Sequence, residues 1–324
     1  YMNLHENPEL FSDAIIAASR PASEGGLGIK DIFIEKDYWI SRALQLLSKI
    51  DKEGKAVFKG GTSLSKAYSI GARFSEDIDI AILDANSMNG NQLKNVIKRT
   101  SKGMASGLEE IVIPGATSKG SHYHKAFYQY PKVVATTQIG AIKAGQILVE
   151  ISAFGNPYPY ERRTIKSFLT DFFLRIGRQD LIDEYDMHKF EVCVLDKRRT
   201  LTEKLVSIIR ASLAENHIQC LSEKIRHFYD IHYLLNDEEI KEYVRGERFK
   251  PDFYALLQED QQRFDKPEGW NQKNLSDSPI LKDFYGTWQH LQETYIKELP
   301  YLAYRATPSK DEIQNSMEGI IKLL

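Results

Sequence analysis

Cysteine is scarce in this chain: only Cys193 and Cys220 occur in 324 residues, and neither has a partner at metal or redox spacing. A disulfide framework is therefore not expected, and a reducing, cytoplasmic setting is the expectation. Long apolar runs are missing as well. No stretch approaches the roughly 20 apolar residues a bilayer-spanning helix needs, so no membrane partner is expected. The opening YMNLHENPELF lacks the basic and then apolar segments of a secretory signal. Neither sign of charge is in excess: 43 Lys and Arg face 45 Asp and Glu, a formal net charge of -2. No global basic field announces nucleic-acid binding, although a local basic groove is compatible with that total. Internal repeats, low-complexity tracts and a Pro/Gly linker are also lacking.

What is there is the composition of a globular protein, 42% hydrophobic and 27% charged. The length suits about two domains. Residues 8–20 and 30–50 read as helices, the second with Ile34, Trp39, Ala43, Leu44 and Leu47 at near-helical spacing. AVFKGG reads as a short strand ending in glycines, SLSKAYS as a helix, and DIDIAIL (77–83) as an interior strand. A mixed-charge helix to about residue 110 and strands at IVIP, HYHKAFYQY, QILVEISA and FEVCVL follow. From Thr200 onward the period becomes helical, with helices near 200–215, 222–236, 252–264, 279–298 and 309–323. The expected fold class is therefore α+β: a mixed-sheet lobe over residues 1–197, followed by a mainly α-helical lobe over 198–324.

On a strand, Asp77 and Asp79 point to one face while Ile78 and Ile80 point to the other. Two carboxylates one pleat apart repel and would raise at least one pKa. A divalent cation removes that conflict, and carboxylates plus substrate phosphates are the usual way Mg²⁺ is held. An isolated D-h-D fits a solvent-facing polar strand equally well. Upstream, Gly60 and Gly61 separate a strand from a helix, where backbone N–H groups can cradle an anion. The spacing and the missing Lys-Ser/Thr pair rule out a Walker P-loop.

A glycine pair, a short helix and a D-h-D strand together resemble the nucleotidyltransferase superfamily. The wording EKDYW (35–39), KGGTSLSKAY, RFSEDIDI, RTLTEKL (199–205) and RHFYDI (226–231) is closer still to the AbiEii/AbiGii toxin family of abortive-infection and type IV toxin–antitoxin pairs. The resemblance runs from residue 35 to about 235. It implies a nucleotidyltransferase fold for the first lobe, a nucleoside triphosphate substrate, two Mg²⁺ ions and a cognate antitoxin protein. It also implies an RNA acceptor of the tRNA 3′-end class, known from the MenT-like relatives.

Residue by residue, the resemblance implies that Asp77 and Asp79 are the metal-binding acids. Gly60, Gly61, Thr62, Ser63 and Ser75 are then expected to line the nucleotide. Glu150 is nominated as a third acid, a metal ligand or base; an edge strand with Glu150 in water is the alternative. Lys204 of the EKL motif is expected beside the triphosphate, whereas its helical position alone reads as a solvent-snorkelling lysine. Asp230 matches the last acid of an R-D-x-Y-D motif in which His227 stands where the family commonly has aspartate. Its alternative is an exposed ion pair with Arg226. Ser63 and Ser75 fit turn-satisfying roles equally. Arg73 is a partner for a phosphate or a core carboxylate. Arg162, Arg163, Lys166 and Lys197–Arg199 supply the local positive charge an RNA would need. His122 and His124 read as ordinary strand residues, having no acid or cysteine at ligand spacing. The expected chemistry is attack of an acceptor hydroxyl on the α-phosphorus with loss of pyrophosphate, in a site between the lobes. The rivals are a nucleotidyltransferase for a protein or small molecule, and a nucleotide-binding module without catalysis.

Overall fold

The computed structural model of the protein describes residues 2–120 and 122–324. It divides into two compact units, Tyr1–Tyr68 with Phe74–Leu195, and Ser69–Arg73 with Asp196–Leu324. The first is built on strands β1 (Ala56–Lys59), β2 (Asp77–Ile82), β3 (Glu109–Ile111), β4 (Ser118–Lys119), β5 (Tyr123–Gln129), β6 (Gln138–Ile139), β7 (Ile142–Lys143), β8 (Gln146–Ser152), β9 (Tyr160–Ile165) and β10 (Phe190–Leu195). Its helices are α1 (Pro8–Ser19), α2 (Asp31–Ile50), α3 (Gly60–Ala67), α4 (Gly90–Met104), α5 (Phe168–Arg175) and α6 (Gln179–Glu184). The main sheet runs β3-β5-β8-β2-β1-β10-β9, with β4 added on β5, while β6 and β7 pair separately. Two pairings, β1 with β10 and β2 with β8, are parallel and the others antiparallel. The unit is thus a mixed sheet with helices.

Alternation decides the two faces. Ile78, Ile80, Val149 and Ile151 are buried, whereas Asp77, Asp79 and Glu150 on the opposite face remain partly accessible. Each fully buried aliphatic side chain on the covered face contributes about 1.5–3 kcal/mol. Helices α2 and α4 pack together and against β8. The charged EKD run of α2 is buried as well. Glu35 Oε1 accepts the Val133 N–H at 2.6 Å, and Asp37 accepts the Phe168 N–H at 2.7 Å and Lys66 Nζ at 2.5 Å. Lys36 donates to Glu76 Oε2 at 2.8 Å, the Lys143 carbonyl at 2.6 Å and the Gln146 carbonyl at 2.7 Å. All three ammonium donors are therefore used, which is what allows a lysine to be buried. The contact ties the residue ahead of Asp77 to the start of β8.

The second unit is helical: α7 (Lys197–Ser212), α8 (His217–Ser222), α9 (Ile225–Leu235), α10 (Glu238–Arg245), α11 (Phe249–Arg263), α12 (Pro279–Lys282), α13 (Phe284–Leu302) and α14 (Lys310–Ile321). Its core includes Phe228, Phe253, Trp270 and Trp288, all buried. The segment Ser69–Arg73 is stitched to these helices. Ala72 accepts the Tyr304 N–H and donates its own N–H to the Tyr229 hydroxyl, each at 2.9 Å. Among the described residues no helix is long and apolar enough to cross a membrane.

Several local expectations need correction. The strand expected at IVIP covers Glu109–Ile111 instead, ending before Pro114, which has no N–H for a ladder. Gly60 and Gly61 open α3 itself, because β1 ends at Lys59. Strand β9 and helices α5, α6, α8 and α10 were not foreseen.

Candidate active site

Strand β2 presents Asp77 and Asp79 on its accessible face, one pleat apart, and the first residue of α3 lies against Asp79. Gly60, the first residue of α3, has φ +79°, and a Cβ built on it would stand 2.1 Å from Asp79 Oδ2. Only glycine satisfies both conditions, the left-handed backbone and the close approach of a carboxylate. Thr62 Oγ1 donates to the Asp77 carbonyl at 2.6 Å, so the turn after the glycines is bonded to the start of β2. Ser63 is fully buried and donates to the Gly60 carbonyl at 2.8 Å. Its hydroxyl is engaged in the turn, the second of the two roles expected of it. Ser75 is buried just before β2.

A row of charges crosses the same face. Lys59 on β1 lies opposite Asp79 on β2, Asp79 opposite Glu150 on β8, and Glu150 opposite Lys125 on β5. Directly opposed residues share a face, and like charges in that position are destabilising unless compensated. Compensation for Glu150 is visible. Its Oε1 lies 2.8 Å from Lys125 Nζ, and its Oε2 accepts the Tyr123 hydroxyl at 2.8 Å. Burial, with the negative charges of Glu150, Asp79 and Asp77 behind it, pushes the Tyr123 hydroxyl far above the usual phenol range. Tyr123 is therefore a hydrogen-bond donor throughout the physiological range.

Asp77 and Asp79 fit a hard divalent cation. They supply carboxylate oxygens from one strand face, beside a glycine cradle that a side chain would fill. Among the described residues no group of three His, Cys, Asp or Glu is gathered to hold a metal, and both Glu150 oxygens are engaged by Lys125 and Tyr123. Two carboxylates, completed by phosphate oxygens and water, remain an appropriate donor set for Mg²⁺.

The helical unit holds a second charged cluster. Asp230 on α9 accepts Arg73 Nε at 2.8 Å and Arg73 Nη2 at 2.7 Å, and Lys204 Nζ of α7 stands 2.8 Å from its Oδ2. All three residues are buried. Burial pushes the Asp230 carboxyl up, but Arg73 and Lys204 outweigh it and hold the group well below the usual carboxylate range. Asp230 does not form the exposed pair with Arg226, and Lys204 does not reach into water. His227, enclosed beside them, is driven well below the ordinary imidazole value by burial and by Lys204. The cluster is one anion between two cations.

A family model, nucleotidyl transferase AbiEii toxin of type IV TA systems, matches residues 42–315. The chain belongs to the AbiEii family. It is a nucleotidyltransferase, and membership implies a nucleoside triphosphate substrate and a partner antitoxin. Among solved structures, it is similar to the nucleotidyltransferase toxin MenT4 from Mycobacterium tuberculosis H37Rv, at 15% identity over 91% of this chain and 96% of that one, TM-score 0.45. JHP933 from Helicobacter pylori is 14% identical over 89% of this chain and 93% of that one, TM-score 0.41. No curated protein matches the chain.

Of the residues expected from the sequence of this AbiEii chain, Asp77, Asp79, Gly60, Gly61, Thr62 and Ser63 come together at the β2–α3 junction, with Glu150 in the adjoining register position. Lys204 and Asp230 come together in the helical unit. The basic residues are largely engaged. Lys197 and Arg198 pair with Asp237 and Glu239, Arg199 with Glu203 and Glu259, and Lys166 with Asp171. His124 is buried on the helix-covered face and His122 stacks on Phe154 at 5.9 Å, so the pair makes no metal site. Sequence reasoning missed Lys36, Glu76, Tyr123 and Lys125. The clue for the last two was present, since Tyr123 and Lys125 alternate on a strand that pairs with the one carrying Glu150.

Proposed function

We propose that this AbiEii protein transfers a nucleoside monophosphate from a triphosphate to an RNA acceptor, the tRNA 3′ end being the favoured class. The first lobe, residues 1–197, carries the reacting groups, and the helical lobe, 198–324, carries Lys204 and Asp230. Asp77 and Asp79 would hold Mg²⁺, two ions in the full reading. The metal would supply charge stabilisation to the triphosphate and its leaving pyrophosphate. Gly60 and Gly61 offer backbone N–H groups to phosphate oxygens, and Thr62, Ser63 and Ser75 keep that turn in shape. Lys204, oriented by Asp230, is assigned to the phosphates as a point charge. The observation that carries this reading is the close approach of the Asp79 carboxylate to the glycine-opened N-terminus of α3.

One observation favours a protein or small-molecule acceptor instead. The basic run Lys197–Arg199, which an RNA would require, is paired throughout with carboxylates. Incubation with each of four α-labelled triphosphates, Mg²⁺ and either bulk tRNA or a protein fraction separates the two. Label in tRNA from one preferred triphosphate supports the proposal; label only in protein or small-molecule fractions refutes the RNA acceptor.

A further inference from the structure

The carboxylate face carries two groups to which the reading above gives no task, Tyr123 and Lys125 on β5. Both point at Glu150. Strand register puts Lys125 opposite Glu150 and Glu150 opposite Asp79, so the three side chains stand in one line on one face. Neighbouring strands are about 4.8 Å apart. Lys125 therefore starts about two strand spacings from Asp79. Its ammonium, drawn to 2.8 Å from Glu150 Oε1, is brought over the intervening strand. From there, phosphate oxygens gathered at Asp79 are within reach of a lysine head group.

The donors and acceptors agree with this placement. Each Glu150 oxygen already has a donor, Lys125 on one and the Tyr123 hydroxyl on the other. An ammonium has three N–H donors, and one suffices for Glu150. The side chains of Lys125 and Glu150 are 28% and 20% exposed, so the head group is accessible to a ligand. A pair this open contributes little to stability, which makes a purely structural role a poor account of it. Its place beside two further carboxylates is where a tetra-anionic triphosphate would demand extra positive charge.

We propose that Lys125 is a nucleotide-contacting residue of this active site. Glu150, steered by Tyr123, is its positioning residue. The inference rests on Asp77 and Asp79 being the metal-binding pair. It assigns the triphosphate a cation from the sheet face itself, in addition to any supplied by the helical unit.

The test is calorimetric binding of the four α,β-methylene nucleoside triphosphates, with Mg²⁺, to the full chain and to Lys125→Gln, Lys125→Arg, Glu150→Gln, Tyr123→Phe and Asp79→Asn. Transfer kinetics on the same proteins give KM, kcat and the Mg²⁺ concentration for half-maximal rate. Lys125→Gln is expected to weaken binding about 10- to 100-fold and to raise KM correspondingly, with Lys125→Arg recovering most of the loss. Glu150→Gln and Tyr123→Phe should weaken binding less while leaving the Mg²⁺ requirement unchanged. Unaltered nucleotide affinity in a folded Lys125→Gln overturns the assignment. So does a raised Mg²⁺ requirement in Glu150→Gln without a change in nucleotide affinity, which would make Glu150 a metal ligand. Full transfer activity in Asp79→Asn would instead remove the active-site reading on which the inference stands.

Discussion

Replacing Asp230 by asparagine deletes one negative charge and keeps the shape, so its cost is electrostatic. Asp230 is 5% exposed and accepts two bonds from Arg73 and one from Lys204 at 2.7–2.8 Å. The variant leaves two cations facing each other where water is largely excluded. Removing one partner of a buried ion pair costs about 3–5 kcal/mol, and the retained amide oxygen places this case near the lower end. For a unit of this size that corresponds to a fall in Tm of roughly 6–12 °C. The pH dependence has a definite sign. Although burial opposes it, Arg73 and Lys204 depress the folded pKa of Asp230. A depressed carboxyl contributes stability that is fully present above its unfolded value of about 3.9 and is lost as pH falls through the folded value. Circular-dichroism melts of both proteins should therefore show a constant gap from about pH 8 to about pH 5, closing only in acid. A gap of less than about 1 °C at neutral pH, or one that closes on the alkaline side, would refute the reasoning.

Gly60→Ala places a methyl 2.1 Å from Asp79 Oδ2 and forces alanine into φ +79°. The strain costs about 1–2 kcal/mol, and displacement of the carboxylate should lower kcat more than tenfold; steady-state transfer assays and a melt check both. Lys36→Met leaves Glu76 and the Lys143 and Gln146 carbonyls without their shared donor. A loss of about 3 kcal/mol in urea unfolding is expected, and a stability equal to wild type would show that the contact is dispensable.

How far residues betray the structure depends on whether their partners are local. Asp77 and Asp79 were legible because alternation on a strand is a local rule, and the glycines before α3 were legible because a turn is local as well. The helical period from α7 onward was equally plain. The EKD run was not, since Glu35, Lys36 and Asp37 look like a solvated helix face until Val133, Glu76 and Phe168 arrive from distant segments. Strand β9, YERRTI, has no apolar alternation because it is an edge strand, and its charges disguise it. Lys204 and Asp230 were singled out by motif, but the bond between Asp230 and Arg73 joins residues 157 positions apart. No periodicity reports such a contact.

The central claim is that Asp77 and Asp79, set against the glycine-opened start of α3, form the active site. It is tested most directly by measuring transfer of label from an α-labelled triphosphate to tRNA by wild type and by Asp79→Ala. The account predicts labelled tRNA with wild type and a fall of about 100-fold or more with a normally folded Asp79→Ala. Labelling by that variant at the wild-type rate would contradict it.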